Sequence, residues 1–297
     1  MHLANLVLLA GALGAAAHPN HAHRNAHEKR DSLFYKAVHK PIAKPAPTTT
    51  SVPPPPPATT SAVSTPPAAP PSNSLAMGSG IYIPFCGGAS KRDFPVPEGV
   101  VKRTTAEDIA YAGNTGTSGN WGCNMMNVAS NAASLYNYTI KFNNVASGPY
   151  QVQCFNKIGP DGGIDGFWYT ATSFTIAPGA SQFVAFESNT QGACAFAPGS
   201  VPKTPSGEWS GTWVEFDFDN ASNNGWSGAD CSSLVAQANS QTVYGCQVCN
   251  SANTCSSILP GGAGTNAYTA GLEDASGIGI NQVPGSFSLN VEVGFSG

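Results

Sequence analysis

The chain has 297 residues and is sparsely charged: Asp, Glu, Lys and Arg make up 10 %, against roughly a quarter in an average soluble protein. Its formal net charge is −4, which excludes a nucleic-acid binder working through a broad basic surface. The histidines His2, His18, His21, His23, His27 and His39 all precede residue 40. Beyond that point there is no imidazole for a Ser-His-Asp or Cys-His unit, nor for a His-ligated zinc site, so acid–base chemistry would fall to carboxylates, Tyr or Lys.

Residues 1–17 read as a secretory signal peptide. The apolar run from Leu3 is too short to span a bilayer and ends in Ala15-Ala16-Ala17, a small-residue cleavage site. Residues 18–30 form a His-rich pro-segment closed by the dibasic pair Lys29-Arg30, which predicts a mature start at Asp31. Cleavage after Ala17 alone would leave His18 at the N-terminus, where it could begin a copper site. Such a site needs a second His on a packed scaffold, and none lies beyond His39. Residues 31–77 read as a disordered Pro/Ser/Thr-rich linker: residues 41–71 hold half of the 24 prolines, and Ser and Thr lie between them. That composition suits an extended, O-glycosylated stalk.

Residues 78–297 are one domain's worth of chain, carrying 15 Asp and Glu against 7 Lys and Arg, a balance of −8. Period-two alternation predicts strands at Tyr138-Ile140-Phe142, Tyr150-Val152-Cys154, Phe174-Ile176, Val214-Phe216-Phe218 and Phe287-Leu289-Val291-Val293-Phe295. Gly, Pro and Asn clusters such as Gly159-Pro160-Asp161-Gly162-Gly163 separate them as turns. Helical signal is confined to Ser232–Ala238 and a turn within 267–275. The predicted class is all-β, a disulfide-rich β-sandwich.

All eight cysteines, Cys86, Cys123, Cys154, Cys194, Cys231, Cys246, Cys249 and Cys255, lie in this domain. An even count behind a signal peptide predicts four disulfides. The sequence leaves the connectivity open; the short Cys249–Cys255 interval favours a hairpin-closing pair. A four-thiolate zinc site built on Cys231, Cys246, Cys249 and Cys255 is disfavoured by the oxidising compartment. No metal and no cofactor are expected, and no membrane contact once the signal is removed.

Trp213-Val214-Glu215-Phe216-Asp217-Phe218-Asp219 is the most chemical-looking stretch. A strand places Trp213, Glu215, Asp217 and Asp219 on one face, with successive carboxylates about 6–7 Å apart, a spacing that permits glycoside hydrolysis. Glu215, Asp217, Asp219 and Asp230 are therefore the catalytic candidates, and Trp213, Asp217, Trp226 and Trp168 the ligand-binding ones, a Trp beside carboxylates being suited to a sugar ring. On such an exposed binding face Asp217→Asn would leave folding intact or slightly improved while glycan retention falls; the plain alternative is a solvated polar sheet face. Asp161, Asp165 and Asp230 read as loop acids. Asn137-Tyr138-Thr139 and Asn220-Ala221-Ser222 are N-glycosylation acceptors.

Four ordered blocks carry a resemblance: Phe155–Gly163; Phe183–Ala193; Glu215–Asp219 with Gly225–Asp230; and Ala267–Ala270 with Val283–Gly285. Together they resemble the secreted fungal allergen family typified by the Aspergillus fumigatus allergen f 4. That resemblance implies secretion, wall association and allergenicity, and it carries over no catalytic residue. The run from Trp213 to Phe218, followed by Asp230-Cys231-Ser232-Ser233-Leu234, is also similar to thaumatin-like proteins. That similarity implies a disulfide-rich sandwich with an acidic cleft that meets β-glucan. The expectation is a secreted cell-surface protein that binds cell-wall polysaccharide without strong catalysis. The alternatives are a carboxylate-dependent glucan hydrolase and a structural wall protein with no defined ligand.

Overall fold

The computed structural model describes residues 82–87, 111–273, 275 and 278–297. The signal peptide, pro-segment, linker and domain start predicted at 1–17, 18–30, 31–77 and 78 lie outside those residues. In chain order the strands are β1 (Gly116–Thr117), β2 (Asn120–Trp121), β3 (Met125–Val128), β4 (Tyr138–Asn144), β5 (Tyr150–Asn156), β6 (Thr172–Ile176), β7 (Ser181–Phe186), β8 (Thr190–Pro198), β9 (Thr212–Asn220) and β10 (Trp226–Ser232). A short helix α1 (Leu234–Ala238) follows. The chain ends with β11 (Cys246–Asn250), β12 (Cys255–Ile258), β13 (Gly264–Thr265), β14 (Ile280–Gln282) and β15 (Phe287–Val293). Ser232, expected to open the helix, instead ends β10. Within 267–275, where the sequence predicts a turn, Leu272 N–H donates to Thr269 O and Ala275 N–H to Leu272 O, as successive turns.

Two sheets make the sandwich. One runs β14-β10-β9-β8-β5-β6, the other β13-β12-β11-β15-β4-β7-β3. Strand alternation sends Val214, Phe216 and Phe218 inward from the first sheet, where they meet Ile140, Phe142, Val184, Phe186, Leu289 and Val291 from the second in one core. Phe186 touches both Phe216 and Phe218, at centroid distances of 4.7 and 4.8 Å. Each such ring taken out of water contributes about 1.5–3 kcal/mol.

All eight cysteines are paired. Cys154–Cys194 joins β5 to β8 at directly opposed positions, and Cys231–Cys246 ties β10 of one sheet to β11 of the other. Cys249–Cys255 closes the β11–β12 hairpin, as its spacing favours, and Cys86–Cys123 anchors the segment around Phe85 to the loop after β2. The four cysteines of the notional zinc site are thus consumed by two disulfides. Among the described residues no helix is long and apolar enough to cross a membrane.

Candidate functional site

The sheet face bearing Trp213, Glu215 and Asp217 is covered rather than solvated. Trp213 is 2 % exposed and packs in a second core with Phe155, Phe167, Ala193, Ala195, Val201 and Val235. Its ring lies 5.1 Å from that of Phe155, edge to face. Phe167, from the 3-10 turn Gly166–Trp168, and Val235, from α1, form part of that second layer. Alternation tells which residues share a face, but not whether another layer covers it, so the expected stacking surface at Trp213 is corrected.

Beneath that layer the fold gathers buried polar groups. Glu215 stands directly opposite Asp230 on β10, and Asp217 opposite Gln191 on β8. Lys157 Nζ donates to Gln191 Oε1 at 2.6 Å, and Asn220 Nδ2 donates to Asp217 Oδ2 at 2.8 Å. Glu215, Asp217 and Asp230 therefore do come together, but as carboxylates enclosed within the fold. Asp230 and Trp226 sit on strand β10 rather than in a loop, and Trp226 is buried as well. Its ring is therefore not offered to a sugar.

Asp219 leaves the group. Its φ of 51° turns the strand end, its N–H donates to Ser227 Oγ at 2.9 Å, and its carboxylate meets the hydroxyl of Tyr138 on the facing sheet. Burial first, and then the charge of Asp219, push that phenol well above its ordinary range. Asn220, the second acceptor motif, is buried: its Oδ1 caps the turn Ala221–Asn223 by accepting from Ser222 N–H, and its Nδ2 donates to Asp217 Oδ2. Asn137 is exposed just before β4.

The exposed chemistry lies beside this layer. The Gly159–Asp165 loop is closed by Gly159 N–H to Gly163 O at 2.8 Å and by Gly163 N–H to Asp161 Oδ1 at 2.9 Å. Its two carboxylates fold over Gly159. A Cβ there would overlap Asp165 Oδ1 and stand 3.0 Å from Asp161 Oδ1 and 3.1 Å from Tyr169 Cε2. Asp165 is held above the ordinary carboxyl range, by burial first and then by Asp161.

Directly after this loop Trp168 is 44 % exposed, and Tyr169 is exposed beside it. Tyr169 is held by its neighbours, and the Trp168 ring meets that of Phe167 at 5.3 Å. Trp209 donates its indole N–H to Tyr169 O at 2.9 Å and its backbone N–H to Phe167 O. Trp121 donates its indole N–H to Ile158 O at 2.9 Å, and its ring meets that of Tyr169 at 5.7 Å, inclined by 62°. Lys203 Nζ lies over the Trp209 ring, 4.1 Å from its centroid. Of the predicted ligand-binding residues, Trp168 is the one left at the surface. Trp121 and Trp209, which join it here, come from segments with no alternation to mark them.

Sequence reading also passed over Glu208. It is 1 % exposed, its Oε1 has no hydrogen-bond partner, and burial pushes its carboxyl up to about 7, against a smaller lowering by Thr204. Among the described residues, no three His, Cys, Asp or Glu side chains are placed to hold a metal ion.

This is a two-sheet β-sandwich held by four disulfides, with one buried polar layer and one exposed aromatic surface. The chain belongs to the Allergen Asp f 4-like domain family, whose profile matches residues 123–293. It is 40 % identical over 192 residues to Allergen Asp f 4 of Aspergillus fumigatus, a match that covers 63 % of this chain and 59 % of that protein. The chain thus spans less than two thirds of that curated relative. Among solved structures, the protein elicitor MoHrip2 of Magnaporthe oryzae is similar with a TM-score of 0.35 and 13 % identity, over 53 % of this chain and 99 % of that one. A TM-score this low carries no statement about function.

Proposed function

We propose that this fungal allergen-family protein is secreted to the cell surface and binds wall polysaccharide there without strong catalysis. The observation that carries the reading is the exposed pair Trp168 and Tyr169, adjacent in sequence, with the Tyr169 carbonyl bound by the Trp209 indole and the Tyr169 ring against Trp121 and the Asp161 and Asp165 carboxylates. Aromatic faces stack on the C–H faces of pyranose rings, and carboxylates accept sugar hydroxyls. A ring held by its neighbours loses little entropy when it binds. Burial of Glu215, Asp217 and Asp230 supports binding over hydrolysis. The Pro/Ser/Thr composition of residues 31–77 suits a spacer between such a domain and a wall.

The test is retention of the full secreted chain on insoluble β-glucan, chitin and cellulose, with sugar analysis of the supernatant. Retention without released sugar is expected, and Trp168→Ala should weaken it roughly three- to tenfold. Released oligosaccharide would favour the hydrolase. No retention on any of the three polymers would overturn the reading.

A further inference from the structure

Resting on that reading, we infer that the Trp168–Tyr169 surface selects polysaccharide bearing protonated amino groups, the chemistry of glucosamine polymers, over neutral glucan. The first ground is charge. Asp161 and Asp165 converge at Gly159, against the Tyr169 ring, and the cations of Lys157 and Lys203 rest on other groups, that of Lys203 within the adjoining aromatic cluster. Lys157 is buried with Nζ on Gln191 Oε1, and Lys203 Nζ rests on Trp209. A sugar that brings only hydroxyls can hydrogen-bond to this carboxylate pair, whereas one that brings an ammonium also relieves the repulsion within it.

The second ground is the aromatic frame. An ammonium already sits on an indole of the same cluster, Lys203 over Trp209 at 4.1 Å, and the rings of Trp168 and Tyr169 offer faces for the same kind of contact. Soluble oligomers, which present their amino and hydroxyl groups free of a lattice, are the probe.

The experiment compares binding of the full chain to matched short oligomers of glucosamine, N-acetylglucosamine and β-1,3-linked glucose. It is run at a mildly acidic pH in low and high salt. Glucosamine oligomers should bind roughly tenfold more tightly than either neutral series at low salt, and the advantage should shrink at high salt. The double variant Asp161→Asn/Asp165→Asn keeps an acceptor for Gly163 N–H. It should lose the glucosamine advantage and bind all three series alike, while an unchanged near-UV circular dichroism spectrum shows that the surface is still folded. Equal affinity for all three series in the parent, or an unchanged preference in the double variant, overturns this inference and leaves polysaccharide binding standing. If no oligomer binds and no insoluble polymer retains the chain, both readings fall.

Discussion

Glu208 is the side chain whose surroundings most alter its chemistry. Its ordinary value is 4.5, and burial raises it to about 7 in the fold. A carboxyl raised on folding binds its proton more tightly in the native state. Its favourable contribution is therefore complete below about 4.5, drains away as pH rises toward about 7, and is absent above that. Glu208→Gln keeps the shape and removes the charge. It should stabilise the protein at pH 8 by on the order of 1–3 kcal/mol and change little at pH 4.5. Urea unfolding at the two pH values checks this, and an equal effect at both would refute it. Asp217 behaves in the opposite sense from a solvated acid. Because its Oδ2 accepts from Asn220 Nδ2 inside a covered layer, Asp217→Asn should cost about 1–3 kcal/mol and not leave folding intact. A melting temperature equal to that of the parent would show the contact to be dispensable.

Among the elements, the disulfides divide by where they act. Cys231–Cys246 bridges the two sheets through wholly buried sulfurs and spans 15 residues, whereas Cys249–Cys255 spans 6 and only closes a hairpin. Loop entropy alone gives about 3 and about 2 kcal/mol, and a Cys→Ala pair in the core adds lost packing. Cys231→Ala/Cys246→Ala should therefore lower the unfolding midpoint distinctly more than Cys249→Ala/Cys255→Ala. In the unreduced parent none of the eight thiols should alkylate. The strands were unevenly legible for a related reason. β4, β9 and β15 alternate in sequence because each has large apolar side chains on one face and polar ones on the other. β8 does not alternate, because Gln191 to Ala197 is buried on both sides. Gly192, where a Cβ would collide with Phe155 O, looks like a turn residue in sequence and is a close approach within the sheet. The same double burial hid the site. Trp213 and Trp168 are equally good sugar-stacking residues on paper, and only the layer built from Phe167 and Val235 separates them.

At the scale of the whole molecule, the last strand closes the fold. β15 lies between β11 and β4, pairs antiparallel with the first and parallel with the second, and buries Phe287, Leu289, Val291 and Val293. The β15–β4 seam joins residues 149 apart, as in the Thr139 Oγ1 donation to Ser288 Oγ at 3.0 Å. Non-local pairing of this kind yields no stability until the chain between has been ordered. Four such side chains at about 1.5–3 kcal/mol each rival the whole stability of a domain, about 5–15 kcal/mol. Removing β15 would also leave β11 and β4 as two facing, unpaired edges beneath the core. A chain ending at Gly285 should accordingly lack a cooperative thermal transition, lose its near-UV circular dichroism and be cut rapidly within 138–186 by a protease that leaves the full chain intact. If the shortened chain instead melts sharply within a few degrees of the parent, the two halves of the seven-stranded sheet hold together without their central strand. The closing role assigned to β15 would then be wrong.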